Sequence, residues 1–194
     1  AGEHNISLYK YESETAIEAL HALAPEIVIT LSFGKILSKQ VLDLPQYGWL
    51  NVHYSALPRW RGAAPVQRAI LHGDSSIGLS IFQLDEGMDT GPTFLIKEFP
   101  LSDSSTTEER LQHLSEQAAL EIEKVLSAIA NGISPTPQDS AAATYAAKIA
   151  PQEGHISWSV PTDEIIRKER ALGGNVGIYA NLRNQKLALQ GLRR

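Results

Sequence analysis

The fold is most clearly indicated by the stretch GWLNVHYSALPRWRGAAPVQRAI, which spans Gly48–Ile70. Its first part, GWLNVH (Gly48–His53), is typical of a buried β-strand because apolar and β-branched residues dominate it. Pro58 and Gly62 mark a loop, and Pro65 suits the first turn of a helix. A strand, a loop and a helix in this order are typical of an α/β protein.

Further strands and helices are predicted on both sides of this stretch. The predicted strands are Glu26–Thr30, Gly78–Leu84 and Thr93–Leu101. The predicted helices are one capped by Ser13, a short one over Ser38–Leu42, and a long one from Thr106 to Asn131. Thr106 and Glu109 of the long helix fit a capping box. We therefore predict an α/β fold with an incomplete doubly wound, mostly parallel sheet.

The composition of the chain changes after the long helix. Residues 131–144 are rich in Pro, Ser and Ala, which is typical of a linker. From Ile178 onward the pattern predicts a β-hairpin that turns at Arg183-Asn184. We accordingly divide the chain into a first domain over residues 1–132, a linker over 133–150, and the start of a β-rich domain over 151–194.

Charge and composition exclude several classes of protein. The net charge is −5 over 194 residues, so no overall positive field attracts nucleic acid or an anionic membrane. The absence of cysteine excludes disulfides and thiolate metal sites, and the six histidines show no metal-ligand spacing. Walker, GxGxxG and nucleophile-elbow patterns are absent, and no apolar run is long enough for a membrane helix. We expect neither a metal nor a membrane.

Three polar residues form the candidate catalytic set. Asn51 and His53 are two apart on one predicted strand, so their side chains point to the same face. Asp89 follows the next strand in the Gly-flanked loop DEGMDTGP. If the two strands are neighbours, the loop brings Asp89 to the carboxyl ends of parallel strands, where open α/β sheets bind ligands.

This set suits acyl transfer to an amine. Asn51 and a protonated His53 can donate hydrogen bonds to an oxyanion, and Asp89 can accept a proton or act on His53 by proximity. Each residue also has an ordinary structural explanation. A histidine at a strand end is often structural or solvated, an asparagine beside a turn is often a turn residue, and Asp89 suits an Asx-turn.

The surrounding sequence favours the catalytic interpretation. LNVHYSALPRWRGAAPVQRAILHGD (Leu50–Asp74) and GLSIFQLDEGMDTGP (Gly78–Pro92) resemble the core signature of the 10-formyltetrahydrofolate-dependent formyltransferases. Within that family, LPRWRGAAPVQ is most similar to the members that act on methionyl-tRNA. The resemblance extends over residues 3–189 and is most specific between residues 32 and 92.

The resemblance implies a role for each part of the site. The catalytic Asn, His and Asp of the family fall on Asn51, His53 and Asp89. The implied contacts to the formyl donor, 10-formyltetrahydrofolate, are Phe33, Leu37, Ser55, Ala56, Leu57, Pro58, Gln83, Asp85 and Gly87. Ala56 departs from the family, which has Leu there. For the initiator methionyl-tRNA, the candidate contacts are Arg59, Trp60, Arg61 and Arg68, although these arginines could equally be solvated or paired with Asp74 and Glu86.

The resemblance also implies context and alternatives. It implies about two further strands before residue 1 and most of an OB-like domain after residue 194, so we expect this piece alone to be poorly active. Residues 173–179 (GGNVGIY) depart from the family, which has a proline- and aromatic-bearing turn there. We expect a cytoplasmic monomer. The alternatives are formyl transfer to a nucleotide sugar or to glycinamide ribonucleotide, formyl hydrolysis, and an inactive folate- or RNA-binding module.

Overall fold

The structure is a computed structural model and describes residues 14–183 and 185–192, with side chains described from residue 18 onward. The five α-helices described are α1 (Glu14–Leu23), α2 (Lys39–Leu42), α3 (Pro65–His72), α4 (Thr107–Ala130) and α5 (Thr162–Leu172). The six described β-strands are β1 (Val28–Leu31), β2 (Trp49–His53), β3 (Ser76–Gln83), β4 (Thr93–Pro100), β5 (Ile178–Leu182) and β6 (Gln185–Leu189).

Helix boundaries follow the local signals in the sequence. Thr106 and Glu109 form the predicted capping box of α4 with reciprocal hydrogen bonds. Pro65 occupies the first turn of α3, and Gly73 ends that helix in the left-handed conformation, with φ of 81°. The predicted cap Ser13 lies outside the described residues.

The main sheet is mixed, with strand order β1-β2-β3-β4. β1 is parallel to β2, but β2 pairs antiparallel with β3, and β3 pairs antiparallel with β4. The predicted α/β class is thus confirmed, whereas the prediction of a mostly parallel sheet is wrong for the described strands. β3 and β4 form a hairpin, so residues 84–92 between them make a hairpin loop rather than a crossover.

The core lies between one face of this sheet and three helices. Leu50 and Val52 of β2 point into it, whereas Asn51 and His53 alternate with them and face the other way. α3, α4 and α5 contribute the helical side of the core: Val66, Ile70, Leu114, Ala118, Val125, Ile129, Ile165, Ala171 and Leu172. β2 lies between two paired strands and is buried along its whole length, so the chain at Asn51 and His53 is held on both sides.

The segment predicted as a linker packs closely on the sheet and the site loop. The backbones of Thr136 and Thr93 exchange two hydrogen bonds of 2.8 Å. Further along, Arg61 donates from its backbone to Thr144 at 2.9 Å and accepts from the backbone of Ala146 at 2.7 Å. We call residues 131–146 the strap. Its two ends are fixed at β4 and at the loop after β2.

The last part of the described chain contains the predicted hairpin. β5 and β6 pair antiparallel, with Ile178 opposite Leu189 at one end and Leu182 opposite Gln185 at the other. Arg183 begins the turn with φ of 45°, and Asn184 lies outside the described residues. α5 packs on α3, and its buried residues share the core with the first 130 residues. The division of the chain into two domains stays a prediction. No helix in the described part of the chain has the length and apolar character needed to cross a membrane.

Candidate active site

A cavity of about 410 Å³ opens at the end of β2. Asn51, His53 and Asp89 all line it, as the sequence predicted. The antiparallel β2–β3 pairing places the end of β3 beside the start of β2, so the hairpin loop must return along β2 to reach His53. The convergence is therefore present, but it arises from a hairpin loop and not from adjacent parallel strand ends.

The Asn51 side chain is oriented by Thr30 on the neighbouring strand. The Thr30 hydroxyl lies 2.9 Å from Oδ1 of Asn51 and 2.9 Å from the carbonyl oxygen of Leu50. Thr30 and Asn51 are paired residues of β1 and β2, and both are buried. With Oδ1 turned to Thr30, the Nδ2 group of Asn51 is directed to the cavity, where it can donate hydrogen bonds.

His53 has one ring nitrogen committed to the backbone. Its Nε2 donates to the carbonyl oxygen of Trp60 at 2.8 Å, because a carbonyl can only accept. This bond fixes the proton on Nε2 and leaves Nδ1 as the nitrogen available for chemistry. The ring also packs edge-on to the fully buried Phe82, with centroids 6.4 Å apart.

Asp89 is held in an unusual backbone conformation. Its φ is 55°, in the left-handed region that most residues avoid. Its Oδ2 accepts a hydrogen bond of 2.7 Å from the backbone of Gly62 and lies 3.8 Å from Nδ1 of His53. At that distance a protonated His53 and an ionised Asp89 attract each other without a direct hydrogen bond.

The hairpin loop that carries Asp89 has its own internal support. Oδ1 of Asp85 accepts from the backbone of Gly87 at 3.0 Å and from the hydroxyl of Thr90 at 2.6 Å. Asp85 therefore makes the Asx-turn that the sequence suggested for Asp89. The loop is closed at its base by a hydrogen bond of 2.9 Å from Gln83 to Pro92.

Comparisons with known proteins decide the family. The profile described as "Formyl transferase" matches residues 4–126, which is more than half of the chain. The chain belongs to the formyl transferase family. It is 40% identical over 177 residues to the methionyl-tRNA formyltransferase of Marinobacter nauticus, and this match covers 91% of the chain and 57% of that relative.

Other relatives agree with this assignment. The chain is 42% identical over 173 residues to the methionyl-tRNA formyltransferase of Pseudoalteromonas translucida, covering 87% of the chain and 54% of the relative. It thus spans a little over half the length of each of these formyltransferases. The crystal structure of a HypX variant from Aquifex aeolicus has a similar fold, with a TM-score of 0.81, 18% identity, and coverage of 94% of this chain and 33% of that one.

The wall of the formyl transferase cavity contains several of the predicted donor contacts. Phe33, Leu37, Asp85 and Gly87 line the cavity, and Phe33 packs against Trp49 with ring centroids 6.5 Å apart. The cavity also has lining residues that were not predicted, among them Lys35, Ile36, Gln67 and Met88. Lys35 and Ile36 lie between Phe33 and Leu37, two of the predicted donor contacts, so these neighbours were the sequence signal for them.

Five of the predicted donor contacts lie outside the lining of this cavity. Ser55, Ala56, Leu57 and Pro58 are not among the residues that line this cavity. Ser55 donates to the carbonyl oxygen of Arg59 at 2.6 Å, and Leu57 donates from its backbone to Ser80 at 3.1 Å. This stretch fixes the loop against β3. Gln83 is also absent from the lining, and its side chain lies against Gly48.

Arg59 and Trp60, which were candidates for RNA contact, converge on one carboxylate. Asp74 accepts from Nη2 and Nε of Arg59 at 2.6 and 3.1 Å and from Nε1 of Trp60 at 2.8 Å. His72 adds a fourth contact at 2.7 Å. Burial raises the pKa of Asp74, but the hydrogen bonds from these three residues outweigh it and hold the pKa below its ordinary value.

The other two arginines also have partners within the chain. Arg61 is 2% exposed and donates through Nε and Nη2 to Oε1 of Gln138 on the strap, at 3.1 and 2.8 Å. Arg68 makes a bidentate pair with Glu153, at 2.6 and 3.0 Å. The predicted pairing of an arginine with Asp74 is present, and for Arg68 the acidic partner is Glu153 instead of Glu86.

Metal binding finds no support in the described part of the chain. Groups of His, Asp and Glu with the placement needed to hold a metal ion are absent there. Among the polar groups of the cavity, Asn51, His53 and Asp89 supply an amide, an imidazole and a carboxylate. This combination suits hydrogen bonding to a developing oxyanion and proton transfer.

Proposed function

We propose that the protein transfers the formyl group of 10-formyltetrahydrofolate to the amino group of methionyl-tRNA, the reaction that prepares the initiator for translation. The observation that carries this proposal is the convergence of Asn51, His53 and Asp89 on one cavity in a chain of the formyl transferase family. The relatives that match at 40–42% identity are methionyl-tRNA formyltransferases.

Each of the three residues has a chemical role in this reaction. The amine attacks the formyl carbon, and the carbonyl oxygen of the formyl group becomes an oxyanion. Nδ2 of Asn51 and a protonated Nδ1 of His53 donate to that oxyanion, since Nε2 is already bonded to Trp60. Asp89, beside Nδ1, stabilises the imidazolium and accepts the proton that the amine loses. The bond from the formyl carbon to N10 then breaks, and N10 takes up a proton to give tetrahydrofolate.

The cavity suits a flat heterocycle as donor. Its volume of about 410 Å³ falls within the usual range of roughly 300–1,000 Å³ for small-molecule sites. Phe33 and Leu37 provide an apolar wall, and the backbone of the loop at Asp85 and Gly87 provides polar groups at its edge. We propose that the pterin ring binds here. Ser55, Ala56, Leu57, Pro58 and Gln83 would then support the donor from behind the cavity wall.

The acceptor tRNA is proposed to lie over the loop after β2. Arg59, Trp60, Arg61 and Arg68 remain the candidate contacts, and Arg59 stacks over the Trp60 ring at 4.7 Å from its centroid. The Arg59 side chain is 41% exposed, so it can reach a phosphate without leaving Asp74. Arg61 could contact a phosphate only after separation from Gln138.

We further propose that the protein acts as a monomer in the bacterial cytoplasm, where translation begins.

The test is a formyl-transfer assay with the whole protein that contains this chain. It is incubated with 10-formyltetrahydrofolate and, separately, with methionyl-tRNA, an amino-sugar nucleotide, glycinamide ribonucleotide or no acceptor. We expect formylmethionyl-tRNA to form at a kcat/KM at least about 100-fold above that for the other acceptors. Formate release that is independent of tRNA would instead support a hydrolase, and donor binding without turnover would support an inactive binding module.

A further inference from the structure

Gln138 lies on the strap, outside the motifs that define the site, yet its side chain contacts the catalytic loop. Its Nε2 donates to the carbonyl oxygen of Asp89 at 3.0 Å and to that of Gly91 at 2.6 Å. Its Oε1 accepts from Nε and Nη2 of Arg61. Both hydrogens and both lone pairs of the amide are therefore used, which is the full capacity of a glutamine side chain.

The hairpin loop needs such a partner. Asp89 has φ of 55°, a conformation that a residue with a side chain keeps only when its surroundings hold it. The contacts of Asp85 organise Gly87 and Thr90, which precede and follow Asp89, without a hydrogen bond to the Asp89 carbonyl. Gln138 supplies the bond to that carbonyl and a second one to Gly91, two residues later. The amide therefore holds the loop on both sides of residue 90.

Arg61 gives this contact its strength. Its guanidinium is buried, and within the described part of the chain it donates to the side chains of Gln138 and, at 3.4 Å, Ser140, both neutral. A buried cation polarises the amide that accepts from it, so the donor end of Gln138 binds the Asp89 and Gly91 carbonyls more strongly. The positive charge of Arg61 thereby acts on the loop through one side chain.

Two connections join the loop after β2 to the Asp89 loop. Gly62 donates directly to the Asp89 carboxylate, and the neighbouring Arg61 acts through Gln138 on the Asp89 carbonyl. His53 is bonded to Trp60 of the same loop. A shift of Gln138 would therefore change the position of the Asp89 carboxylate relative to Nδ1 of His53.

We propose that Gln138 is a positioning residue for catalysis, which sets the Asp89 carboxylate against His53 by holding the Asp89 and Gly91 carbonyls and Arg61 at once. The strap is suited to this task because Thr136 is fixed to β4 two residues before Gln138, and Thr144 accepts the backbone bond of Trp60 at 2.9 Å. This inference rests on the formyl-transfer function proposed above.

The first test uses Gln138→Glu and Gln138→Met in the whole protein. The glutamate keeps an acceptor for Arg61 but places a negative charge against two carbonyl oxygens, and the methionine keeps the length without hydrogen bonds. We expect both to lower kcat at least about 10-fold while the KM for 10-formyltetrahydrofolate changes less than about 2-fold, because small displacements of reacting groups cost rate. Ser134→Ala, at an exposed position of the strap, is the matched control and should keep the wild-type kcat.

The second test does not depend on turnover. NMR signals of the His53 ring nitrogens and of the Gly62 and Asp89 amides are compared between the wild type, both Gln138 variants and Ser134→Ala. We expect these signals to move in both Gln138 variants only. Unmoved signals, or a kcat within 2-fold of wild type in both Gln138 variants, would overturn the inference. A wild-type protein without formyl transfer would refute the proposed function, and the shifts would then still decide whether Gln138 positions Asp89.

Discussion

Nδ1 of His53 lies 3.8 Å from Oδ2 of Asp89, and the two residues come from a buried strand and from a hairpin loop. The carboxylate takes a shorter bond from the backbone of Gly62, at 2.7 Å, so its position does not depend on the charge of His53. Nδ1 of His53 thus faces a fixed acceptor, while Nε2 of the same ring donates its hydrogen bond to the carbonyl oxygen of Trp60. Several consequences of this arrangement can be measured.

Removing either member of the His53–Asp89 pair should slow catalysis. We expect His53→Ala and Asp89→Ala each to lower kcat at least about 100-fold with little change in donor affinity, because general acid–base and oxyanion contributions are lost. Steady-state formylation of methionyl-tRNA and donor binding by titration measure the two quantities. Asp43→Ala, which removes an exposed carboxylate paired with Lys39, is the control. An Asp89→Ala enzyme with unaltered kcat would exclude Asp89 from the mechanism.

The oxyanion contact of Asn51 can be tested together with its orientation by Thr30. Asn51→Ala should lower kcat by about 100- to 1,000-fold, the usual cost of losing one oxyanion donor. Thr30→Val keeps the shape of the side chain but removes the hydroxyl that faces Oδ1, so we expect a smaller loss of kcat, about 10-fold. Single-turnover formylation with both substrates saturating measures these losses. Equal kcat in Thr30→Val and wild type would show that Thr30 does not orient the amide.

Asp74 should contribute a stability that depends on pH. Its pKa is lower in the folded protein than its ordinary value of 3.8, so its contribution is complete above that value and is lost as the pH falls through the folded pKa. At pH 7 we expect Asp74→Asn to reduce the free energy of unfolding by about 1–3 kcal/mol, because charge-assisted bonds from Arg59 and Trp60 are weakened.

Urea denaturation at several pH values checks this expectation. The difference in unfolding free energy between wild type and Asp74→Asn should be present at about pH 5 and shrink below about pH 4. Asp103→Asn, at an exposed position, supplies the comparison. A difference that grows as the pH falls below about 4 would contradict the lowered pKa of Asp74.

Gly78 should be required because the loop after β2 packs directly against its backbone. A Cβ at this position would collide with the backbone of Ser55 and Ala56. We expect Gly78→Ala to destabilise the protein by about 1–3 kcal/mol or more, as overpacking against backbone does. Gly34→Ala is the matched control, since nothing lies within 4 Å of its added Cβ. Thermal unfolding of both variants measures the contrast, and equal melting temperatures would refute the expectation.

The arginines near the site should separate into two classes. We expect Arg59→Ala to weaken tRNA binding and to reduce the slope of log K against log salt by about 0.7–0.9, the contribution of one phosphate contact. Arg61→Ala should mainly lower the free energy of unfolding, because the half-buried amide of Gln138 loses its partner. Binding titrations at several salt concentrations distinguish the two. A loss of slope in Arg61→Ala alone would reverse the assignment.

Sequence patterns predicted helices α2, α3 and α4, and they placed Asn51 and His53 on one strand and Asp89 in the loop after the next strand. The alternation in Gly48–His53 correctly placed Asn51 and His53 on one face, and the capping box correctly began α4 after Thr106. Strand direction was not predictable in the same way. The loop DEGMDTGP contains no helix, and two strands joined by so short a connection must be antiparallel. This signal was in the sequence, but the expectation of a doubly wound sheet led us to predict mostly parallel strands.

Two other features could not be read from the sequence because they depend on distant contacts. The composition of residues 131–144 is that of a linker, and only the fold shows that Gln138 reaches Arg61 and Asp89. Ser55 and Leu57 occupy motif positions, so a donor contact was expected for them. In the structure the Ser55 hydroxyl bonds to Arg59 and the Leu57 backbone bonds to Ser80, contacts that local spacing does not reveal. Their contact with the donor stays a prediction.

The closed base of the hairpin loop has a consequence for how such proteins diversify. Insertions or deletions between Gln83 and Pro92 would displace the carboxylate from the imidazole, so chain length here should be nearly invariant in evolution. The stretch over residues 32–36, which follows β1, borders the same cavity but is mostly exposed and is not part of a strand. Changes in substrate preference should therefore accumulate in that rim.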